Sequence, residues 1–281
     1  MNTQSTNLKT MAGIGYRHQI GNQIMQNKHL FDCLEITVEH YINPFSSPNH
    51  SLNELTDNFI IIPHGLDLSI GSISIDRDYL INIKKISHQL NCNYYTDHLC
   101  ITRSPGIKFS HLTPIIYNES YLKRITANVA YVQDFLGKQL VLENITTPFN
   151  LEKNEMSYFE FMSNLVKNTG CGTLFDATNF FANNYNHGDD TDYTLENLSQ
   201  LNIVHMHLSG GFIQNDRFWD SHSEPISDTV WELLDKVLDS VKPSSLIIER
   251  DDNLENTNRL FTEVSIAKEK ILKINKPIKV L

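Results

Sequence analysis

The chain of 281 residues is short of the features that mark most specialised protein classes. It has four cysteines, Cys33, Cys92, Cys100 and Cys171, and no Cys-x-x-Cys pair. That excludes a zinc ribbon, a thioredoxin-like site and a disulfide framework, and leaves buried thiols in a reducing compartment as the reading. No apolar run approaches the ~18 residues of a membrane span, so no membrane partner is expected. Met1 to Thr10 lacks the basic-then-apolar order of a secretion signal. The expected location is therefore cytoplasmic, with residues 1–10 a flexible lead-in. Positive charge is scarce: 23 basic residues face 33 acidic ones, the formal charge is −10, and no basic block exceeds Lys84-Lys85. Neutralising phosphates needs a basic stripe, so nucleic acid is not an expected partner. Gly13-Ile14-Gly15 lacks the third glycine of a dinucleotide fingerprint, and no Ser or Cys sits in a nucleophile-elbow context. The absence of a fixed-period repeat excludes solenoids and propellers.

What is present is an ordinary globular composition, 40% hydrophobic and 20% charged, at a length that fits one α/β domain of the (β/α)8 TIM-barrel type, which needs about 250 residues. Residues 11–281 are expected to form that single catalytic domain. Eight short apolar runs recur along the chain: Gly13 to Arg17, Cys33 to Glu35, Ile60 to His64, Tyr94 to His98, Leu140 to Glu143, Thr173 to Asp176, Ile203 to His207 and Leu246 to Glu249. Segments with helical periodicity alternate with them, including Tyr79 to Leu90, Leu122 to Leu136, Glu155 to Val166 and Asp228 to Val241. Three loops, Ser46 to Asn58, Gly210 to Asp228 and Asn183 to Asp192, are expected at the rim, the first two as walls of a substrate groove. Gly210-Gly211 reads as a sharp turn.

The runs end in residues that bind metals. In a closed parallel barrel every strand delivers its C-terminal end to one rim. His64, His98, Glu143, Asp176, His207 and Glu249, remote in sequence, would then meet in one pocket, joined by Asp220 and His222 from the loop after strand seven. Four imidazoles and four carboxylates without thiolate suit iron, manganese or zinc in hydrolytic or oxygen chemistry. Four negative charges imply more than one divalent ion, because a single ion would leave buried carboxylates unneutralised. Each strand-end acid could instead cap the next helix. Asn179, three residues after Asp176, could bring its amide oxygen to a metal. Asp97 and Asn144 could hydrogen-bond liganding groups or cap helices. Period two puts His205 on the face of His207, one layer deeper, where it would orient a ligand. Arg17, past strand one, could grip a substrate carboxylate or carbonyl, or form a structural ion pair.

Several blocks together resemble a known family: Gly13-Ile14-Gly15-Tyr16-Arg17, Leu34-Glu35 with Glu39, Pro63-His64-Gly65, Thr96-Asp97-His98-Leu99, Leu142-Glu143-Asn144, Leu174-Phe175-Asp176 with Asn179, His207-Leu208-Ser209-Gly210, Asp220-Ser221-His222 and Ile248-Glu249. From Gly13 to about Asp251 the chain is similar to the multinuclear non-heme iron-dependent oxidases of peptide natural-product biosynthesis, the family of the methanobactin-forming enzyme. The resemblance implies a (β/α)8 barrel holding two or three iron ions (Fe2+/Fe3+) on His64, His98, Glu143, Asp176, Asn179, His207, Asp220, His222 and Glu249. It implies dioxygen as co-substrate and a ribosomal precursor peptide as substrate, modified at Cys, Asp or another residue. It also implies a separate leader-binding partner protein. Two positions depart from the family pattern. Gly211 stands where many members have His, and Asp176-Ala177-Thr178-Asn179 replaces the usual Asp-Val-Asn-Asn.

The leading expectation is thus an iron-dependent oxidase acting on a peptide side chain. The alternative on the same barrel is a multi-metal (Zn or Mn) hydrolase, such as an endonuclease, or a sugar isomerase, and the acidic balance opposes the nuclease. A metal-free scaffold is a third reading.

Overall fold

The computed structural model describes residues 9–43, 48–104, 106–149, 151–188 and 191–274. Most of the expected lead-in (1–8), part of the Ser46–Asn58 loop (46–47), part of the third rim loop (189–190) and the end of the expected domain (275–281) lie outside the described residues. Thr10, at the end of that lead-in, is buried and its hydroxyl donates to the Pro243 carbonyl.

Among the described residues twelve strands form three sheets: β1 (Met11–Gly15), β2 (Cys33–Thr37), β3 (Ile60–His64), β4 (Tyr94–His98), β5 (Ile101–Ser104), β6 (Ile107–Thr113), β7 (Gln139–Glu143), β8 (Gly172–Asp176), β9 (Ile203–Leu208), β10 (Gly211–Gln214), β11 (Arg217–Asp220) and β12 (Ser245–Ile248). Eight of them, in the order β1-β12-β9-β8-β7-β4-β3-β2, close into a parallel barrel. These are the eight apolar runs read from the sequence. The other four form two antiparallel hairpins, β5-β6 and β10-β11. The second lies inside the segment read as a loop from Gly210 to Asp228.

Helices of the outer layer start where side chains satisfy their first backbone N–H groups. Asp76 accepts from Asp78 and Tyr79 ahead of Arg77–Gln89, and Asn118 accepts from Tyr121 ahead of Glu119–Leu136. The helix expected from Glu155 begins at Tyr158, because Ser157 and Glu160 form a reciprocal capping box there. The span expected as a rim loop from Asn183 is helical as far as His187, as the end of Ala177–His187.

Alternation along the strands divides the core. Cys33, Ile62, Tyr94, Val141, Leu174 and Ile247 pack together as an apolar plug inside the barrel. Leu34, Tyr95, Leu142, Phe175, Met206 and Ile248 pack with the helices in the larger outer core. Two residues further along five of these inward-facing rows, apolar side chains give way to donors: Glu35 above Cys33, His64 above Ile62, Glu143 above Val141, Asp176 above Leu174 and Glu249 above Ile247. The same pleat that fills the lower barrel with hydrocarbon aims these groups at its upper end.

Candidate metal centre

Register sets the height of the donors. Asp176 pairs with His207, His207 with Ile247, and His98 with Glu143. Two groups of donor atoms converge, each group lying within 4.8 Å: His64, His98 and Glu143, and Glu143, Asp176, His207 and Glu249. All are buried. Glu143 belongs to both. Its Oε2 lies 3.6 Å from His64 Nε2 and 3.3 Å from His98 Nε2, while its Oε1 lies 3.7 Å from His207 Nδ1.

Hydrogen bonds prepare the imidazoles as donors. Thr96 donates its hydroxyl proton to the Pro63 carbonyl (3.1 Å), so at 2.8 Å it accepts from His64 Nδ1–H, leaving the Nε2 lone pair free. His207 is turned the other way up. Its Nε2–H donates to Glu35 Oε2 at 2.9 Å, and its Nδ1 lies 3.2 Å from Glu249 Oε2. His205 donates from Nε2 to the same Glu35 oxygen at 2.8 Å, and its Nδ1 accepts from Ser245, itself bonded to Tyr94. Glu35, His205 and His207 thus form a third convergent trio one layer below. Glu35 ends its apolar run in the sequence but was not among the assigned donors; β2 continues two residues further, to Thr37, which sets Glu35 one layer below the rim.

Asp176 divides its carboxylate. Oδ1 accepts from Asn179 N at 2.6 Å, capping the helix that follows, while Oδ2 is buried with no hydrogen-bond partner among the described residues. Cap and donor are therefore compatible roles for one side chain. Asn179 donates from Nδ2 to the Asn144 carbonyl (2.9 Å) and to Glu143 Oε1 (3.4 Å), and its Oδ1 is likewise buried and unpartnered. Asn144 clasps the end of β8, donating to the Asp176 carbonyl and accepting from Asp176 N.

Asp220 arrives on β11 and accepts from Ser209 Oγ at 2.8 Å and from His222 Nε2 at 2.9 Å. His222 has φ 51°, in the left-handed region, held by Asp251 N donating to its carbonyl at 2.8 Å. Its Nδ1 lies 3.2 Å from Asp251 Oδ2 and 3.6 Å from Glu249 Oε2. Asp220 and His222 stand one step outside the convergent groups, on the wall of the same groove.

Other expectations change in the folded chain. Asp97 does not meet the His98 ring, because alternation turns it to the outer face of β4. There it accepts from His98 N and Leu68 N and supports the segment after β3. Arg17 reaches the groove, but its Nε donates to Asp251 Oδ1 at 2.7 Å and its NH2 lies 3.5 Å from Glu249 Oε1. The groove, about 620 Å³, is walled by His111 and Leu112 of the β5-β6 hairpin, by Ile145, Thr146 and Pro148 and by Asp220 and His222. The described part of the Ser46–Asn58 segment borders a separate hollow instead. Gly210 is needed for close approach rather than for a turn, since a Cβ there would stand 1.7 Å from the Glu224 carbonyl oxygen. At Gly211 a Cβ would stand 2.2 Å from the Trp219 carbonyl oxygen, so this hairpin leaves no room for a side chain.

The electrostatics fit cations. Burial depresses His64 and His98 to about 4, keeping both neutral and able to donate a lone pair. Burial and the charges of Asp220 and Glu143 push Asp176 well up. Burial opposes a proton on His207, but Glu249, Glu35 and Glu143 outweigh it and hold its pKa well above the usual value. Such a crowd of carboxylates calls for positive charge. Six buried atoms here have no hydrogen-bond partner among the described residues: His98 Nδ1, Glu143 Oε2, Asp176 Oδ2, Asn179 Oδ1, His207 Nδ1 and His222 Nδ1. Buried polar atoms are ordinarily satisfied, so this concentration is what a metal centre of more than one ion would fill. Among the described residues no helix is long and apolar enough to cross a membrane.

Solved structures similar to the chain share its fold. D-psicose 3-epimerase from Clostridium cellulolyticum H10 matches with a TM-score of 0.63 at 14% identity over 95% of this chain and 100% of that one. IOLI protein with a bound zinc atom matches at 0.57 and 14%, over 94% and 98%. At these identities the likeness is one of architecture. Sequence relatives include a UPF0276 protein of Rhizorhabdus wittichii, 30% identical over 85% of this chain and 86% of the relative, and one of Caulobacter vibrioides, 28% identical over 85% and 86%. The model of the RiPP precursor modification enzymes MbnB/TglH/ChrH matches residues 11–272, nearly the whole barrel and every donor described above. With donor groups for more than one metal ion at the mouth of that barrel, the chain belongs to the MbnB/TglH/ChrH family of RiPP precursor modification enzymes.

Proposed function

We propose that the protein is a multinuclear iron-dependent oxidase that uses dioxygen to modify a side chain, Cys or Asp, of a ribosomally made precursor peptide. The observation that carries this reading is Glu143, whose two oxygens face two donor groups and so suit a carboxylate bridging two ions. The ligands we assign are His64, His98, Glu143, Asp176, Asn179, His207, Asp220, His222 and Glu249. His205 and Asn144 act through them, and Asp97 acts through the backbone. An N/O donor set of this kind suits iron, which when bound supplies Lewis acidity and one-electron redox chemistry.

The chain's own residues do the rest. Glu35 and Thr96 fix the two imidazoles His207 and His64 so that one lone pair of each faces the centre. Arg17, tied to Glu249 and Asp251, holds Glu249 in place; a substrate anion would reach the guanidinium only by displacing Asp251. The open groove suits an extended peptide better than a small sugar. Such a groove holds a core segment weakly, which supports a separate leader-binding partner as the source of affinity. The test is anaerobic purification with elemental analysis, followed by oxygen-consumption measurements with candidate precursor peptides from neighbouring reading frames. Zinc alone, with iron restoring neither spectrum nor turnover, would turn the reading toward a hydrolase.

A further inference from the structure

Beneath the metal centre five buried side chains from four strands form one hydrogen-bonded row: Tyr94 of β4, Ser245 of β12, His205 and His207 of β9, and Glu35 of β2. Register places Ser245 beside His205, and β4 lies opposite β12 across the closed barrel, so the Tyr94 side chain crosses the interior to meet Ser245 Oγ at 2.7 Å. His205 Nδ1 lies 2.5 Å from the same Oγ, and Glu35 Oε2 lies 2.8 Å from His205 Nε2 and 2.9 Å from His207 Nε2. The inward-facing neighbours Cys33, Val141, Leu174 and Ile247 are apolar. Hydrocarbon of equal volume often serves stability as well as a buried charged network does, so packing alone does not account for the row.

The position of every proton in the row follows from its partners. A carboxylate oxygen repels a bare ring nitrogen at such distances, so both imidazoles turn an N–H toward Glu35. A neutral ring, which burial favours for His205, carries one such proton, and its Nδ1 is therefore the acceptor of the Ser245 hydroxyl. Ser245 has no second proton. Tyr94 must then donate to it, and the row runs one way, from Tyr94 through Ser245 and His205 to Glu35, where it meets the bond from His207 at a single oxygen. The two Nε2 atoms stand 3.2 Å apart. Donors that share one oxygen divide its electron density, so each bond is weaker than it would be alone. Donation to His205 Nδ1 makes the Nε2–H of that ring a stronger competitor, because linked hydrogen bonds polarise one another.

We propose that His205, set by Ser245 and Tyr94, restrains Glu35: it takes up part of the oxygen that holds His207, and so limits how strongly His207 Nδ1 donates to a metal ion. A liganding imidazole becomes a stronger donor as the hydrogen bond from its other nitrogen to a carboxylate strengthens. Glu35 raises the donor strength of His207, and His205 tempers that gain. The two residues meet at the same oxygen and act in opposite directions. His205, Ser245 and Tyr94 are positioning residues, since none belongs to the upper donor groups. The inference rests on the reading of His207 as a metal ligand.

The probe is Zn2+ added to the metal-free protein, with affinity read by competition against a chromophoric chelator and the His207 Nε2–H proton followed by NMR. His205→Phe keeps a ring of similar shape and removes the donor. Zn2+ affinity should rise about three- to tenfold, and the His207 Nε2–H resonance should move downfield as its bond to Glu35 strengthens. His205→Gln, whose amide N–H can take the place of Nε2–H, should restore wild-type values. Ser245→Ala removes the donor to His205 Nδ1 and should shift both readouts the same way as His205→Phe, but less; it carries the test if His205→Phe does not fold. Unchanged or lowered affinity in His205→Phe of normal circular dichroism, or in Ser245→Ala if only that variant folds, would overturn the proposal. So would His205→Gln behaving like His205→Phe. If His207 is no ligand, Glu35→Gln also leaves Zn2+ affinity unchanged; if only the restraint is absent, Glu35→Gln loosens binding and His205→Phe fails to tighten it. Either result counts against the proposal, and the pair identifies which premise failed.

Discussion

One oxygen of Glu35 receives both His205 Nε2 and His207 Nε2, at 2.8 and 2.9 Å. The three groups sit inside the barrel, fully buried or nearly so, and only His207 also faces the upper donor groups. Glu35 therefore sets which nitrogen of His207 points at the metal centre without pointing there itself. Replacing it by Gln keeps the size and removes the charge that holds both rings. Metal affinity should fall about 10- to 100-fold, the usual effect of losing a hydrogen-bond partner to a liganding His. Equilibrium metal titration reads this, and unchanged affinity would mean that His207 needs no such support.

Glu143 should behave differently from His98, since it belongs to both donor groups and His98 to one. Glu143→Gln is expected to lower bound metal by more than one equivalent per chain, and His98→Ala by about one, with wild type carrying more than one. Elemental analysis of anaerobically loaded protein checks the ordering. Equal losses would show that the carboxylate does not bridge.

The pH dependence of metal binding follows from His207. Its raised pKa means that the metal-free folded chain keeps a proton that the unfolded chain releases near 6.5. This contribution to stability is fully present below about pH 6.5 and is lost as pH rises through the folded pKa. A metal ion on Nδ1 takes the place of that proton, so binding tightens with rising pH. The Tm difference between loaded and metal-free protein should accordingly widen from about pH 6 to about pH 9. A constant gap would remove His207 from the ligand set.

Gly211→Ala should disturb the centre from a distance. The added Cβ cannot coexist with the Trp219 carbonyl oxygen, so β10 and β11 must part at the end that carries Asp220. Amide exchange across the hairpin should quicken by about tenfold or more while the barrel strands stay protected. If the hairpin keeps its protection, the close approach is readily relieved and Asp220 is not held by it.

Asp251→Asn tests whether Arg17 is a clamp or a hand. Weakening its strongest partner frees the guanidinium, so binding of a small carboxylate such as acetate at the groove should strengthen a few-fold if Arg17 can turn to an anion. No change, with metal content intact, would leave Arg17 as a purely structural cation.

The order of strands and helices and the rim position of most donors were legible in the sequence, because both depend on short-range rules. Apolar runs of three to five residues separated by amphipathic helices specify a parallel barrel, and the residues that end them lie at or just below its C-terminal rim. The pleat was legible too: His205 lies below His207 as period two requires, and the same rule, applied to Asp97, would have turned it away from His98. What the sequence could not determine is which distant groups meet. Glu35 and His205 are 170 residues apart, and Arg17 and Asp251 are 234 apart. Whether Arg17 was clamped, whether Glu35 mattered, and which loops walled the groove depended on partners brought together only when the barrel closed. Hairpins were missed for a related reason, since β5-β6 and β10-β11 have no core of their own and become ordered against the rim they cover. Local chemistry determined what each strand end carries, and only closure of the barrel decided what it touches.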